Sequence, residues 1–533
     1  MIRAFAGMVH LRCPRVVPIP RSMGARGSTA GGPGPPVDAG PREPHAPSLA
    51  RTAATSSLVA VFLRAASLVL SLVIARTLDP VEVGLLGIAI MMAGIISMMT
   101  QYSETAAVIS RADCSHEEAA LVAVTIRLVT ASLLVTVLVL AESSATRILA
   151  GRVAAVLLAS LTRIMLLAVL LEIAASYPRV LLQRRLDLGY LIGANAVQIL
   201  SHLVLTLLVA LAGGGVVEFA LANVTSVGLL CLFLWARVIS RPPHRGFELP
   251  ARSLWRDMLV GTWRAFQGGI GGFLAGRVDN LIVTSTIGPR PMSFYSMAWN
   301  ATRTPVTLLG EALVFTIVSN ARRAVAPLQV LDRLRRSVQH SYLIAAPALL
   351  GLLVTADSLT MVVLGLKWMP VIVPLRIMCL SALLSPLAYC AGAVLTGLGR
   401  ADRILPGTGA QILVLVTILA PAARHWGIAG AAGVDCLASL TLVLVVLCEV
   451  RRLLAIPLRP VLGGVVLPVL ASLPGALLAA AVGSGEPSGL EKLLLQAALM
   501  ASLYLGAMYA LGGRTLLRES AAVLMGAVRR PPG

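Results

Sequence analysis

LVIARTLDPVEVGLLGIAI, residues 72–90, contains the end of one apolar run and the start of the next, separated by a short turn at Asp79 and Pro80. The apolar character extends from this turn in both directions for about twenty residues, the length that a helix needs to cross the hydrocarbon of a bilayer. In hydrocarbon, only helices and closed barrels satisfy their backbone hydrogen bonds. The stretch therefore predicts a hairpin of two membrane-spanning helices.

Similar apolar runs follow along most of the chain, about fourteen in all by the same length criterion. The predicted spans are 54–76, 83–106, 118–141, 151–174, 188–212, 216–238, 260–287, 292–318, 338–357, 370–397, 406–422, 427–450, 458–482 and 490–512. Of the 533 residues, 57% are hydrophobic and 13% are charged, and the mean hydropathy is +0.87. Such values exclude an ordinary soluble domain. The sequence predicts an all-α polytopic membrane protein of about 14 transmembrane helices.

Basic residues outnumber acidic ones, with 44 Lys and Arg against 24 Asp and Glu and a net charge of +20. Because the basic residues are scattered between apolar spans, they indicate cytoplasmic loops and anionic headgroups and argue against nucleic-acid binding. With a cytoplasmic N-terminus, the inner loops contain Arg111, Arg179, Arg184, Arg185, Arg237, Arg241, Arg245, Arg252, Arg256, Arg322, Arg323, Arg333, Arg335, Arg336, Arg400, Arg403, Arg451, Arg452 and Arg459. The outer loops then contain Arg76, Arg147, Arg152, Arg290, Lys367, Arg424 and Lys492. This asymmetry predicts that both termini are cytoplasmic.

An internal repeat relates the two halves of the chain. Residues 72–90 align without gaps on LIVTSTIGPRPMSFYSMAW, residues 281–299, which lie 209 positions later. The identical pairs are Leu72/Leu281, Thr77/Thr286, Pro80/Pro289 and Ala89/Ala298. Six intervening crossings return the chain to the same side, so the repeat predicts two six-helix bundles in pseudo-twofold parallel arrangement, followed by two C-terminal helices. The alternative is that any two apolar hairpins with a proline turn look alike.

The predicted organisation begins with a basic, Pro/Gly-rich cytoplasmic tail at residues 1–50, which we expect to be disordered because nothing in it has helical periodicity. The further boundaries are 51–240 for the N-terminal bundle, 241–259 for a cytoplasmic linker, 260–450 for the C-terminal bundle, 451–515 for the two additional helices and 516–533 for a cytoplasmic tail.

Enzyme functions find no support in the motifs. The loops between the predicted spans are short and leave no room for a soluble catalytic domain. The sequence contains no GxxxxGK[ST], HExxH or GxSxG motif, and its seven cysteines show no disulfide or metal-binding pattern. We therefore expect no enzymatic activity, no cofactor and no metal site.

Ionisable side chains inside the predicted spans are the informative residues, because each costs roughly 2.5–3.5 kcal/mol at a helix centre and so usually faces a cavity or a partner. They are Arg64, Arg127, Arg163, Glu172, Arg264, Arg277, Asp279, Arg303, Glu311, Arg376 and Asp435. Cations predominate among them. Since arginine stays charged and forms bidentate hydrogen bonds to phosphate, this predominance favours an anionic substrate.

The seventh span is the least lipid-like, with the sequence TWRAFQGGIGGFLAGRVDNLIVTSTIG at residues 262–288. Its glycines allow close packing or bending, and its polar residues indicate that it lines a cavity. Pro305 in the eighth span would kink that helix and is a candidate hinge. The predicted substrate-binding residues are Arg64, Arg127, Gln267, Arg277, Asn300 and Arg303. The candidates for a coupling proton or sodium ion are Glu172, Asp279, Glu311 and Asp435.

Structural roles compete with these assignments. Arg163 and Arg376 could snorkel to the headgroups or pair with a carboxylate. Asp279 could act as a structural cap to other helices. Arg277 and Asp279 are two residues apart, so they point to different faces of the helix and need not pair with each other.

Several segments resemble the polysaccharide-exporting branch of the multidrug/oligosaccharidyl-lipid/polysaccharide superfamily, which includes the Wzx-type lipopolysaccharide and exopolysaccharide flippases. These segments are ARTLDPVEVGLLGIA at 75–89, VLLQRRLDLGYL at 180–191, GRVDNLIVTSTIG at 276–288, FYSMAWNATRTPV at 294–306, GLKWMPVIVPLRIMCL at 365–380 and LTGLGRADR at 395–403. In place of the family's usual Leu-Gly pair, Pro291–Phe294 precede Tyr295. The resemblance extends over most of residues 54–450.

This resemblance implies two six-helix bundles around a central cavity and transport of undecaprenyl-diphosphate-linked saccharides across the bacterial inner membrane. Membrane lipids and other polysaccharide assembly proteins are the implied partners. Two functions of the same architecture stay open: a cation-coupled multidrug exporter, for which carboxylates in the cavity would be expected, and a lipid II flippase. A polymerase or lipid-linked glycosyltransferase would need a large outer loop, which is absent from the predicted loops.

Overall fold

Two helices meet at the quoted turn: α1 spans Leu49–Thr77 and α2 spans Pro80–Ile109. They belong to a computed structural model that describes residues 49–109, 114–240, 250–322, 327–455, 457, 459–483 and 489–511. Within these ranges, the side chains of residues 49–61, 64, 109, 141–153, 268–270, 272–275, 308–316, 318–322 and 327 lie outside the description. The predicted tails at 1–50, except residues 49 and 50 at the start of α1, and at 516–533 also fall outside the described residues, as do residues 241–249 of the predicted linker at 241–259.

The rest of the described chain is helical, and its elements follow one another with short connections. They are α3 (His116–Ala174), α4 (Ser176–Arg184), α5 (Leu188–Leu211), α6 (Val216–Ser240), α7 (Arg252–Ile287), α8 (Pro289–Arg322), α9 (Pro327–Leu359), α10 (Ile372–Gly397), α11 (Leu405–Leu454), α12 (Arg459–Gly483) and α13 (Leu490–Ala510). A π-helical turn at Thr360–Leu364 and a 3-10 turn at Leu366–Val371 connect α9 to α10. A second 3-10 turn, Ala401–Ile404, precedes α11.

Two of these elements each contain two membrane crossings. In α3, Arg127 Nη2 lies 3.5 Å from the Glu172 carboxylate, whereas a straight helix would separate the two residues by about 68 Å at 1.5 Å per residue. The segment therefore folds back on itself. In α11, Gly427 has non-helical dihedral angles (φ 58°, ψ −143°) that separate two helices.

The predicted fold class is confirmed. Ten segments of the described chain are long and apolar enough to cross a membrane. One of them, Ala401–Leu454, contains the break at Gly427 and counts as two crossings. Helices α1, α7 and α8, parts of which lie outside the side-chain description, complete the predicted set of about fourteen.

Each half of the chain has its own apolar core. Leu85, Leu158 and Phe219 belong to the core between α2, α3 and α6, and another core joins α9, α10, α11 and α12. A further core connects the halves, because Ala75 of α1 packs in the same cluster as Tyr295 of α8. The exact limits of the two bundles, at 51–240 and 260–450, stay a prediction.

The start of α8 lies 209 residues after the start of α2, which is the offset of the sequence repeat. Both helices begin at the aligned prolines, Pro80 and Pro289, since proline is favoured at a first helical position, where its missing N–H is not needed. The aligned Ala89 and Ala298 are both fully buried. The sequence repeat therefore coincides with equivalent helix boundaries and equivalent packing positions.

Candidate functional site

A polar cluster lies in the second half of the molecule, where α8, α10 and α11 meet. It consists of Arg303, Ser381, Ser385, Asp435 and Ser439, and we call it the Arg303 cluster. Arg303 Nη2 lies 3.2 Å from the Asp435 carboxylate and 3.0 Å and 3.2 Å from the hydroxyls of Ser381 and Ser439. Its Nη1 donates to Ser385, and Ser381 donates to Asp435 at 2.6 Å. Two helices, α10 and α11, thus supply the hydrogen-bonding partners of a guanidinium on α8.

The balance of charge explains how the Arg303 cluster is tolerated inside a membrane protein. The side chain of Arg303 is 15% exposed and that of Asp435 is 7% exposed. Unpaired charges at such depth would be strongly unfavourable, but an ion pair with hydroxyls around it satisfies both groups. The guanidinium also lies 5.9 Å from the ring centre of Trp299, close enough for a cation–π contact. Because hydroxyls supply much of its hydrogen bonding, an incoming anion could replace them without unpairing Asp435.

Asp279 joins α7 to α8 beside this cluster. Its carboxylate accepts a hydrogen bond from the Tyr295 hydroxyl at 3.0 Å and from the backbone N–H of Asn280 at 2.8 Å. Both Asp279 and Tyr295 are buried, and Asp435 and Arg303 are close enough to act on Asp279 electrostatically. In the described part of the chain, Asp279 forms no salt bridge with a basic side chain. The interaction with Tyr295 fixes the α7–α8 hairpin from within.

A second charged network lies in the first half and comprises Glu104, Arg127, Glu172, Ser176 and Arg179, here called the Arg127 cluster. Arg127 is fully buried at 1% exposure, contacts Glu104, lies 3.5 Å from Glu172 and donates to Ser176 at 3.0 Å. Arg179 lies 3.7 Å from Glu104. Two cations and two anions therefore compensate each other between α2, α3 and α4. Arg127 belongs to this internal network, and its predicted contact with substrate stays a prediction.

The predicted residues of α7 and Asn300 lie at accessible positions. Gln267, Arg277 and Asn300 are exposed, as is Arg264, and none of them forms an ion pair with a described residue. Helix α7 contacts both halves: Phe266 packs edge-on against Tyr102 of α2 at 5.8 Å between ring centres, whereas Val283 lies in the core with α8 and α10. The side chains of Arg64 and Glu311 lie outside the described residues.

The competing structural roles can be assigned in part. Arg376 donates to Asp357 at 2.6 Å, and both side chains are about half exposed, at 45% and 51%. The carboxylate-pairing alternative is therefore the one that holds for Arg376. Arg163 is exposed on α3. Arg277 and Asp279 do point to different faces of α7, since Asp279 is buried and Arg277 is exposed.

At one end of the molecule the two halves are joined by a set of contacts that the sequence did not predict. We call Arg76, Lys367 and Trp368 the latch. Lys367 Nζ donates to the carbonyls of Arg76 and Leu78 at 2.9 Å and 2.5 Å, and the buried Trp368 Nε1 donates to the carbonyl of Ala75 at 2.7 Å. The last carbonyls of α1 lack partners within the helix, and a cation is favourable at this end of the helix dipole.

The latch is reciprocal. Arg76 Nη1 donates to the carbonyls of Val362 and Val363 at 2.9 Å and 3.0 Å, so the first half also caps the π-helical turn at Thr360–Leu364. Beside it, α2 and the start of α8 approach backbone to backbone: a Cβ on Gly84 would lie 2.1 Å from the carbonyl oxygen of Pro289. The structure is therefore closed at the end where the α1–α2 and α7–α8 turns lie.

The sequence matches a family model described as Polysaccharide biosynthesis protein over residues 73–373. The chain belongs to the polysaccharide biosynthesis protein family. The match covers both repeated hairpins, the latch and Arg303. No curated protein matches the chain.

Solved structures share the fold of this polysaccharide biosynthesis family member at low identity. The lipid II flippase MurJ in an inward closed conformation superposes with a TM-score of 0.72 at 13% identity, covering 87% of this chain and 99% of its own. An inward-facing multidrug resistance MATE family transporter of the MOP superfamily superposes with a TM-score of 0.61 at 15% identity, covering 75% of this chain and 98% of its own. A MOP superfamily transporter from Pyrococcus furiosus Vc1 superposes with a TM-score of 0.54 at 15% identity, covering 76% of this chain and 96% of its own. The chain thus shares the fold of these three structures.

Proposed function

We propose that this protein flips a lipid-linked oligosaccharide, carried on undecaprenyl diphosphate, across the bacterial inner membrane for lipopolysaccharide or exopolysaccharide synthesis. Membership of the polysaccharide biosynthesis family and the transporter fold support this class of function. The observation that carries the proposal is the Arg303 cluster, because it holds a partly exposed guanidinium inside the membrane-spanning region with hydroxyls as exchangeable partners. Both termini are cytoplasmic in this proposal, as the distribution of basic residues favours.

The proposed mechanism is alternating access. With the latch closed, the end bearing the α1–α2 turn is shut, and the diphosphate headgroup enters from the opposite end. Phosphate oxygens replace hydroxyl partners of Arg303 and contact the accessible Arg277, since arginine binds phosphate through charge-assisted bidentate hydrogen bonds. The polyprenyl tail stays in lipid while the two bundles rock about the site. Binding must be similar in both open states, or the headgroup would stay trapped in one of them.

Among the coupling-ion candidates whose side chains the structure describes, Asp279 is the one best suited to bind a proton or a sodium ion. Asp435 pairs with Arg303 and Glu172 with Arg127, so protonation or sodium binding there would break an ion pair. Asp279 instead has two neutral donors, the Tyr295 hydroxyl and the Asn280 backbone. Its location between α7 and the Arg303 cluster would let a bound cation influence how α7 packs against the second bundle.

The proposal predicts that Arg277→Ala reduces surface polysaccharide about ten-fold or more, the loss expected for one charge-assisted hydrogen bond. Polymer would be measured by immunoblot in a deletion strain complemented with each variant, with protein level measured in parallel. Arg376→Ala is the matched control, because Arg376 also lies in a predicted span but pairs with Asp357 at an exposed position. Normal polymer output from Arg64→Ala, Arg277→Ala and Arg303→Ala alike would contradict the assigned role of these cations.

Lipid II flippase activity is the second candidate, since a lipid II flippase is among the solved structures with this fold. Lipid II also carries a saccharide diphosphate, so the arginines alone do not separate the two substrates. Gene deletion does: loss of viability favours lipid II, whereas a viable strain without surface polymer favours the proposed substrate. A viable strain with normal polymer and raised drug susceptibility would favour a multidrug exporter instead.

A further inference from the structure

Helix α5 carries a stripe of uncharged polar side chains that the proposed function does not yet use. Asn195, Gln198, His202 and Thr206 recur at intervals of three and four residues, so they lie along one side of the helix. The side chains of all four form no hydrogen bond or ion pair with any described residue. The Thr206 hydroxyl is fully buried and has no partner there. We call these four residues the α5 stripe.

The α5 stripe lies on the opposite side of the helix from most of its exposed apolar residues. The lipid-facing side of α5 is marked by exposed apolar residues, among them Leu200, Val204, Leu207 and Leu211 at 39–85% exposure. At 3.6 residues per turn, every member of the stripe lies about 100° or more around the helix from each of these four. On a neighbouring side, Tyr190 and Ala194 pack against α6, and Leu191, which lies on the same side as the stripe, belongs to the same cluster. Helix α1 packs along α5 as well, and Thr206 of the stripe is buried, so protein covers part of the stripe's side of the helix.

Polar groups without partners are strongly unfavourable inside a membrane protein unless water or a ligand satisfies them. Asn195 is exposed, and Gln198 and His202 are partly exposed, on the side of α5 away from Leu200, Val204, Leu207 and Leu211. These positions are consistent with an aqueous passage along α5 that reaches the buried Thr206. From residue 195 to residue 206 the stripe extends about 16 Å along the helix axis.

We propose that the α5 stripe binds the saccharide part of the substrate, an inference that rests on the proposed function. Sugar hydroxyls both donate and accept hydrogen bonds, and amides, imidazole and hydroxyl groups offer both functions. The stripe contains no positive charge to attract phosphate, whereas the arginines of α7 and α8 do. The two parts of the substrate are thus recognised by different elements: the diphosphate by Arg277 and Arg303, and the glycan by α5.

Accessibility to water tests the direction of the stripe independently of any substrate. In a variant whose seven native cysteines are replaced by serine, single cysteines at Asn195, Gln198 and His202 should react with a membrane-impermeant thiol reagent in purified, nanodisc-embedded protein. The matched controls are cysteines at Leu200, Val204 and Leu207, on the lipid side of the same helix. Equal, low reactivity at all six positions would overturn the proposal.

Binding then tests the ligand class. The probes are undecaprenyl diphosphate and undecaprenyl-diphosphate N-acetylglucosamine, titrated into nanodiscs with the wild-type protein, Asn195→Leu/His202→Leu and Arg277→Ala. We expect the double variant to bind the sugar-bearing probe about ten-fold more weakly, as for the loss of two ordinary hydrogen bonds, and the bare diphosphate unchanged. Arg277→Ala should weaken both.

The outcomes distinguish a failure of the saccharide site from a failure of the flippase proposal. If the double variant binds both probes as wild type does, while Arg277→Ala weakens both, the saccharide site is refuted and the flippase proposal stands. If the wild-type protein binds neither probe, the proposed function fails and the saccharide site fails with it. Equal weakening of both probes by the double variant also refutes the site, because it would show a general structural role of α5.

Discussion

Replacing Asp435 with alanine should lower the free energy of unfolding by about 3–5 kcal/mol and abolish polymer export, the cost expected when one partner of a buried ion pair is removed. Arg303 would keep its charge, since guanidinium does not deprotonate in proteins. Its remaining partners would be the hydroxyls of Ser381, Ser385 and Ser439, which cannot neutralise it. The expected readouts are a large drop in thermal unfolding temperature in nanodiscs and loss of surface polymer in a complemented deletion strain.

A double variant distinguishes the structural from the transport role of the Arg303 cluster. In Arg303→Met/Asp435→Leu, both charges are removed together, and such replacements of buried ion pairs are often neutral for stability or even stabilising. We therefore expect thermal stability near that of the wild type, while polymer export stays absent because the cation is gone. Restored export in this double variant would show that Arg303 serves packing and does not contact substrate.

The matched control for the Arg303–Asp435 ion pair is the variant Asp357→Ala. Asp357 also pairs with an arginine, Arg376, at 2.6 Å, but the two side chains are 51% and 45% exposed. An exposed pair contributes about 0–1 kcal/mol. Asp357→Ala should thus leave thermal stability and export nearly unchanged, and an effect as large as that of Asp435→Ala would contradict the importance we assign to burial.

The crossings of this protein could be predicted from sequence because the bilayer imposes one length scale on every span. The repeat identified the two proline turns, but the predicted spans began at 83 and 292, three residues after the helices begin at Pro80 and Pro289, where proline is favoured as the first helical residue. The predicted spans also separate at the two places where a single long helix contains two crossings, between 141 and 151 in α3 and between 422 and 427 at the Gly427 break of α11. At Gly427 the chain reverses through a positive φ at a residue type that permits it.

The charged residues of the candidate site could be predicted from the sequence, but which residues they pair with could not. Arg303 and Asp435 both stood out as ions in apolar spans, but their pairing depends on how α8 packs against α11, 132 residues apart. The serines that complete the cluster occur in an apolar run that resembles any other. For Arg127 too the sequence did not show the partners: Glu104 and Glu172 pair with it inside the first bundle, and its contact with substrate stays a prediction.

The α5 stripe and the latch were missed for different reasons. The amides of Asn195 and Gln198 carry no charge and lie in a span without the glycines and charges that mark α7, so they do not stand out in the sequence, although their helical spacing is visible there. The latch joins chain segments about 290 residues apart through backbone carbonyls. Backbone acceptors carry no sequence signal, so Lys367 was assigned to an outer loop with no indication of what it contacts.

Substituting Gly84 with alanine should open the latched end and strongly reduce polymer export. The added Cβ would lie 2.1 Å from the carbonyl oxygen of Pro289 and 2.7 Å from its carbonyl carbon. These are backbone atoms at the start of α8, which cannot move aside as a flexible side chain could. The overlap therefore raises the free energy of the latched conformation. A conformation in which the two halves have separated at this end has no such overlap, so its free energy does not change.

The measurement is the distance between spin labels at Asp79→Cys and Leu366→Cys, in a variant with its native cysteines replaced. Leu366 is 72% exposed, so a label there can be accommodated. We expect the Gly84→Ala variant to shift the distance distribution to larger values. Gly87→Ala is the matched control on the same helix, since a Cβ there meets nothing within 4 Å and alanine is favoured over glycine in a helix by about 1 kcal/mol.

Lys367→Met and Trp368→Phe should shift the distribution in the same direction but by less, because they remove attraction without introducing overlap. A ligand or substitution can shift a two-state equilibrium only through its differential effect on the two states, and Gly84→Ala acts on the latched state alone. If the bundles alternate, trapping the protein with this end open must stop export even though the protein stays folded. Normal export from Gly84→Ala, with unchanged label distances, would show that the latched end yields locally and that its closure is no part of transport.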